Sequence, residues 1–338
     1  MSILFMDGFD HYGDPDKVVD GLGGWTSGSA LVGASFLPGR FADSCLCLSA
    51  NDHYIEKSLG ANYSTLICGF HLKNPDASAL LSFLDGTSVQ FRLQEETNHR
   101  LSLYRFTDTG YILLASSSYQ MIPGAWYYIE VKASFSETGG QVTVKVNGTA
   151  WIEFTGNTIY SSNAYANALR LSGPASFDNL YVLDTAGTKN NDFFAGGERR
   201  ICTLLPSADS SQIDFTPLGG GSNYVELDDP SLDDDASYVH ESTVNAKDRY
   251  LFDSLPSDEI TDTIAGIMVV ARARKDGTDP RQIKNVIKSN ALEATGDAHE
   301  LTSSYAAHAD IWEYDPDGSL HWAVASVDAL EIGFTIFL

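Results

Sequence analysis

The chain is poor in cysteine, in basic residues and in long apolar runs, and each shortage excludes something. Four cysteines in 338 residues, Cys45, Cys47, Cys68 and Cys202, are too few for a disulfide framework. They also lack the paired spacing of a zinc site. Lys and Arg number 21 against 45 Asp and Glu, a formal net charge of −24. A surface this acidic repels phosphate backbones and anionic lipid, so no nucleic-acid partner is expected. No run approaches the roughly 18 apolar residues of a membrane-spanning helix, so no membrane insertion is expected. The opening "MSILFMDGFDHYGD" has neither a basic leading region nor a cleavage site, so no signal peptide is expected. Synthesis in a reducing cytoplasm follows from both.

Short strand-like runs separated by turn signals are what is present. "SCLCLSA", "HYIEKSL", "TLICGFHLK", "SALLSFLD", "SVQFRLQ", "RLSLYRF", "YILLASS", "WYYIEVKASF", "QVTVKVNG", "TAWIEFTG" and "ALRLSG" fill residues 44–173, and "FDNLYVLD" closes the series. This spacing predicts an all-β sandwich. Asn147-Gly148 between two alternating runs predicts a type I′ hairpin. Val142, Val144 and Val146 should share one face, with Trp151 in step beyond the turn and Ile152 and Phe154 opposite. Trp126, opening an alternating strand, should be an inner-face anchor. Cys45 and Cys47 should share a strand face as small core residues. Residues 185–199, "TAGTKNNDFFAGGER", lose all periodicity and mark the domain boundary. The division is 1–185, a linker over 186–199, and 200–338. Two β-sandwich domains are expected, both jelly-roll-like. In the second, "RRICTLLP", "NYVELDD", "SYVHESTV", "DRYLFDSL", "AGIMVVARARK" and "ALEIGFTIFL" read as strands. "DPRQIKNVIKS" reads as a strand or a turn or two of helix.

No catalytic pattern stands out. Sugar-cleaving sandwiches place paired carboxylates along one strand, and no Glu-x-Asp-x-x-Glu occurs here. No Gly-x-Ser-x-Gly elbow marks a nucleophile, and no two of the eight histidines sit at ligand spacing. Calcium is the one candidate ion, through "DDPSLDDD" (228–235) or "DPDG" (315–318), though neither completes a calcium-loop pattern. A solvated acidic loop and a tight turn are the plainer readings. Asn62 and Asn147 sit in glycosylation patterns that carry no weight without a secretory signal. One basic stretch interrupts the acidity, with Arg272, Arg274, Lys275, Arg281, Lys284 and Lys288. It reads either as a solvated sheet face or as a docking patch for an acidic neighbour, the loop 228–235 of another copy being the obvious partner. A sugar site would need exposed aromatics, and Trp25, Tyr54, Tyr119 and Tyr160 are the candidates.

Residues 124–154, "GAWYYIEVKASFSETGGQVTVKVNGTAWIEF", resemble the core of the concanavalin A/laminin-G-like jelly roll. Trp126, Val131, Gly139, Gly140, Val144, Asn147 and Gly148 carry the likeness. "FDNLYVLD" is similar to that fold's last strand, which returns beside the first, here "LFMDGFDHY". Nearly the whole chain also resembles virion structural proteins of tailed bacteriophages, of the tail-fibre or minor structural type. The likeness is one of layout, through "FMDGFDHYG", "FDNLYVLDTAGTKNNDFFAGGERRICTLLPSADS", "LGGGSNYVELDDPSLDDDASYVHESTVNAKDRYLFDSLP" and "WAVASVDALEIGFTIFL". It implies a non-enzymatic, cofactor-free protein made in the bacterial host cytoplasm and located on the virion. The implied partners are other virion proteins, further copies of the chain (a trimer foremost) and a host cell-surface glycan. Tail attachment is the first expectation. Head decoration is an alternative, as is a free lectin-like protein or glycan hydrolase.

Overall fold

The computed structural model describes residues 2–19, 21–29, 34–41, 43–76, 78–229, 231–256, 263–318 and 321–338. The protein is nearly all β, with 51% of residues in strands and 4% in helices. It divides into two compact units. The first comprises Met1–Asp10, Asp14–Val19 and Trp25–Ile201; the second comprises His11–Gly13, Asp20–Gly24 and Cys202–Leu338.

The first unit is a sandwich of two antiparallel sheets. One runs in the order Thr149–Gly156, Gly140–Val146, Trp126–Ser134, Thr65–Lys73, Ala175–Leu183, Ser44–Leu48, Ser35–Pro38, with Ile3–Asp7 also pairing to Ala175–Leu183. The other runs Gly110–Ser116, Leu101–Thr107, Ser88–Glu95, Ala79–Asp85, Ala166–Ser172, Tyr54–Tyr63, Ser27–Ser29. The opening strand sets Ile3 against Leu183 and Asp7 against Leu180, as the jelly-roll likeness implies. Asn147 and Gly148 have φ of 50° and 79°, the positive pair that a type I′ turn needs. Between the sheets, Val142 and Val144 stand opposite Ala133 and Val131 and are fully buried. Phe83 and Phe91 face them from the other sheet, their centroids 5.2 Å apart, with Phe135 against both. Trp25 is a core residue: its indole donates to the Asp7 carboxylate at 2.7 Å and its ring meets Phe5 edge-on.

Two facing expectations need correction. Trp126 pairs with Lys73 on the outer face and is half-buried, because Tyr127, Ile129 and Val131 take the inward positions. Ile152 and Phe154 lie opposite Val144 and Val142, on the same face, since a bulge between Val144 and Lys145 shifts the count by one. Cys45 is buried as a small residue, whereas Cys47, on the same strand face, is only half-buried. Burial pushes the Cys45 thiol up to about 12, and that of Cys68 higher still.

Residues 185–201 are not a free linker. Asp192 pairs with Lys132 at 2.9 Å, Phe194 meets the Tyr181 ring edge-on at 5.0 Å, and Glu198 reaches His71 at 3.0 Å and Arg40 at 2.9 Å. The segment therefore packs on the outer face of the eight-stranded sheet. This explains why Ala175–Leu183 is buried at all nine positions despite containing Asp178, Asn179 and Tyr181. Tyr181 crosses the neighbouring strand at Gly69, where a Cβ would fall 2.2 Å from its ring. Its hydroxyl donates to Glu130 at 2.8 Å and lies 2.6 Å from that of Tyr128.

The second unit is a sandwich in a minimal sense. A six-stranded sheet runs Pro206–Ile213, Lys247–Phe252, Glu331–Phe337, Gln282–Ser289, Leu292–Thr295, with His299–Glu300 beside Gln282–Ser289. The ribbon Ile267–Ala273/Ala306–Trp312 supplies the second layer, around Val269, Ile287, Trp322 and Leu330. Residues 282–289 are thus a central strand and no helix. "RRICTLLP" forms no strand before Pro206, and "NYVELDD" holds the short 3-10 helix Asn223–Glu226. Asp248, fully buried, accepts from the backbone of Asp214 and Phe215 and from the side chains of Asn223 and Tyr250. That network pins the 214–223 loop to the sheet.

Candidate functional site

Strand Ser88–Glu95 alternates cleanly at its centre: Phe91 and Leu93 are fully buried, while Arg92 and Gln94 are partly exposed on the other side. Antiparallel register then carries one row of outward side chains across the seven-stranded sheet. Ser27 stands opposite Glu56, Glu56 opposite Arg170, Arg170 opposite Ser82, Ser82 opposite Arg92, Arg92 opposite Tyr104, and Tyr104 opposite Leu113. Arg170 and Arg92 are two strands apart, about 10 Å.

The two arginines differ in their company. Arg170 reaches Glu56 Oε2 through Nε at 3.0 Å and Nη2 at 2.7 Å, and lies 4.3 Å from the centroid of Tyr54. Arg92 lies 3.6 Å from the centroid of Tyr111 and 5.8 Å from that of Tyr104. Its Nη2 donates to Gln94 Oε1 at 2.6 Å. Further along the face, Phe106 meets Tyr111 at 4.9 Å and Tyr160 at 4.8 Å. Acids sit at the margins and are engaged: Glu96 accepts from the Tyr104 hydroxyl at 2.8 Å, and Asp108 from that of Tyr160 at 3.0 Å. Burial and Glu96 hold Tyr104 above its ordinary pKa, and the Asp108 hydrogen bond does the same to Tyr160. Both hydroxyls therefore stay protonated at neutral pH and serve as hydrogen-bonding groups rather than bases. Aromatic faces beside planar donors and hydroxyls make an arrangement able to hold a polyhydroxylated ring.

Of the four aromatics singled out from sequence, Tyr54 and Tyr160 fall on this face. Trp25 is in the core. Tyr119 is exposed and packs on Trp151 at 5.3 Å, away from the row. Arg92, Arg170, Gln94 and Tyr104 were missed, since only strand register brings them together. The polar beats of "VQFRLQ" were the available signal. A second hollow, about 190 Å³, lies on the outer face of the eight-stranded sheet between Trp126, Lys73, Asn74 and Leu37.

The basic stretch of the second unit is engaged within the chain. Arg272 pairs with Asp234 at 2.6 Å and Arg274 with Asp235 at 2.9 Å, and Tyr305 lies beside both guanidiniums. Lys275 donates to the Asp279 carbonyl, Arg281 to that of Pro280, and Lys288 to Glu331 at 2.5 Å; Lys284 lies over Phe337. The acidic loop expected to belong to another copy is therefore the chain's own. Asp234 and Asp235 are spent on these arginines, and Asp229 and Asp233 accept from the Ser237 hydroxyl. The turn at 315–318 closes by the Asp317 N–H donating to Asp315. Among the described residues no group of three His, Cys, Asp or Glu is arranged to hold a metal ion. None of their helices is long and apolar enough to cross a membrane.

No family model matches the chain, and no curated protein does. Among solved structures, it is similar to an endo-β-1,4-glucuronan lyase from the fungus Trichoderma reesei. The identity is 10% over 48% of this chain and 92% of that one, with a TM-score of 0.39. It is similar to the carbohydrate-binding module CBM66 from Bacillus subtilis at 10% identity, over 45% and 92% of the two chains, TM-score 0.33. The galectin LEC-6 from Caenorhabditis elegans follows at 12%, over 36% and 83%, TM-score 0.29.

Proposed function

We propose that this chain is a non-catalytic structural protein of a bacteriophage particle, tail-associated, whose first unit contacts a host-surface glycan. The observation that carries the glycan contact is the row Tyr54, Glu56, Arg170, Ser82, Arg92, Tyr104, Tyr111 on one sheet face. Such a face binds through many modest contacts, and repetition by symmetry turns them into useful avidity. A closed homo-oligomer, a trimer in our reading, supplies that repetition alongside other virion proteins. Layout favours the particle: the start, the segment after the first sandwich and the C-terminal strand resemble virion proteins of tailed phages. The long-range repulsion of a −24 chain is screened beyond about 8 Å at physiological salt, so copies still approach.

Two measurements test this reading. Antiserum against the purified chain should label gradient-purified virions, in few copies per particle, at the tail. Many copies on the head would move the protein to head decoration. Labelling only of the soluble lysate would overturn the particle assignment. The purified chain should also be retained on host surface polysaccharide without releasing reducing ends. Release abolished by a single Asp or Glu substitution would make it a hydrolase.

A further inference from the structure

The chain holds more than two carboxylates for each basic residue, and several of its arginines are held by them. Arg40 faces Glu198, Arg170 faces Glu56, Arg249 faces Glu293 and Glu331, Arg272 faces Asp234, and Arg274 faces Asp235. Arg92 has no carboxylate partner among the described residues, and unlike Arg105, Arg199 and Arg281, which also lack one but donate to backbone carbonyls, it donates to a side chain within the outward row of a sheet. Its cation rests on the faces of Tyr111 and Tyr104. A ring stacked on a guanidinium stabilises the charge while leaving the in-plane N–H groups free. Gln94 fixes the rotation of the group by accepting from Nη2. The Gln94 amide N–H groups and the Tyr104 hydroxyl oxygen remain beside it as further polar contacts. Nε is enclosed and without a partner, which leaves the Nη1–Nη2 end of the fork as the part a ligand could engage.

We infer that Arg92 is the subsite for a carboxylate of an acidic glycan, so that the sheet face selects carboxylated sugars over neutral ones. The inference rests on the glycan reading above and names the ligand class for it. A planar carboxylate matches the guanidinium fork, and charge assistance makes such contacts about twice as strong as neutral ones. Arg170, already saturated by Glu56, stays a neutral neighbour about 10 Å away, so one carboxylate is read in each register. The carboxylate has two sources in surface glycans, hexuronic acids and sialic acids, and they share this chemistry.

The test titrates the full chain with four probes: an oligohexuronate, the same oligomer with its carboxyls reduced to alcohols, that reduced oligomer after sulfation, and an oligosaccharide ending in a sialic acid. The wild type should prefer the oligohexuronate or the sialoside to the reduced oligomer by about tenfold or more. The preferred one of the two identifies the source. Arg92→Gln should erase the preference and leave the weak binding of the reduced oligomer in place. Arg92→Lys should recover little of it, because a point charge does not reproduce the fork. Gln94→Glu, which supplies a carboxylate in place, should also erase it and guards against misfolding of the Arg92 variants. Equal affinity for acidic and reduced oligomers, or sulfated binding as tight as carboxylated, would overturn the inference and leave the glycan reading standing. No binding of any of the four would refute the glycan reading itself.

Discussion

Asp178 offers the sharpest test of how the first unit is built. It sits at the centre of Ala175–Leu183, fully buried beneath residues 185–201. Oδ2 accepts from the Arg40 backbone at 2.7 Å, while Oδ1 is enclosed with no partner. Burial, then the nearby Asp43 and Asp10, push the carboxyl from 3.8 up to about 7 against the pull of the Arg40 N–H. The folded protein thus holds a proton that the unfolded chain releases near pH 4. Between those values the native state binds more protons, so stability falls as pH rises from about 4 to about 7 and levels off above. A rise from 3.8 to about 7 is worth, at about 1.4 kcal/mol per pH unit, about 4 kcal/mol. Asp178→Asn removes the titration. The amide nitrogen would lack an acceptor at one position, a constant cost of about 1–3 kcal/mol. That cost cancels when the variant is compared with wild type at two pH values. Urea denaturation at pH 5 and pH 8 spans about two of those pH units, so wild type should lose about 2–3 kcal/mol more than the variant over that interval. Equal losses in the two proteins would refute the burial and charge argument.

Other perturbations have equally definite outcomes. Gly69→Ala drives a methyl into the Tyr181 ring and breaks its contact with Glu130; thermal melting should show a loss of about 2–4 kcal/mol in the first unit. Asp248→Ala removes an acceptor shared by four donors in the second unit, leaving the Phe215 N–H and the Tyr250 hydroxyl with no other acceptor among the described residues, and should cost about 3–5 kcal/mol by urea denaturation, with the first unit's transition unmoved. Arg272→Asp should destabilise the second unit, and Asp234→Arg added to it should restore part of the loss. Loss of assembly with no change in melting would instead place this pair between copies. Cys45 and Cys68, enclosed and held as thiols, should react with a thiol reagent only after denaturant is added, whereas fast labelling at neutral pH would contradict their burial.

The turn residues and the alternating strands were readable because their signals are local. Asn147-Gly148 needs only two positive φ angles, and "QVTVKVNG" needs only one covered face. Trp126 misled because its strand is covered on both sides, so alternation does not say which beat points inward. The cover is residues 185–201, whose contacts through Asp192, Phe194 and Glu198 have no periodicity to betray them. In the second unit, "PSADSSQI" forms a strand with little apolar content because it lies at a sheet edge. The glycan-facing row was the least readable feature. Glu56, Ser82, Arg92, Tyr104 and Arg170 come from five strands, and only the sheet's register aligns them. Arg272 and Arg274 looked free because their partners, Asp234 and Asp235, lie some forty residues upstream.

The most direct test of the central claim is a crystal structure of the full chain with a bound acidic oligosaccharide. The sugar should lie on the outer face of the seven-stranded sheet, with a carboxylate on Arg92 and a ring near Tyr111 or Tyr54. A sugar seated instead in the Trp126–Lys73 hollow, or on the second unit, would contradict the account.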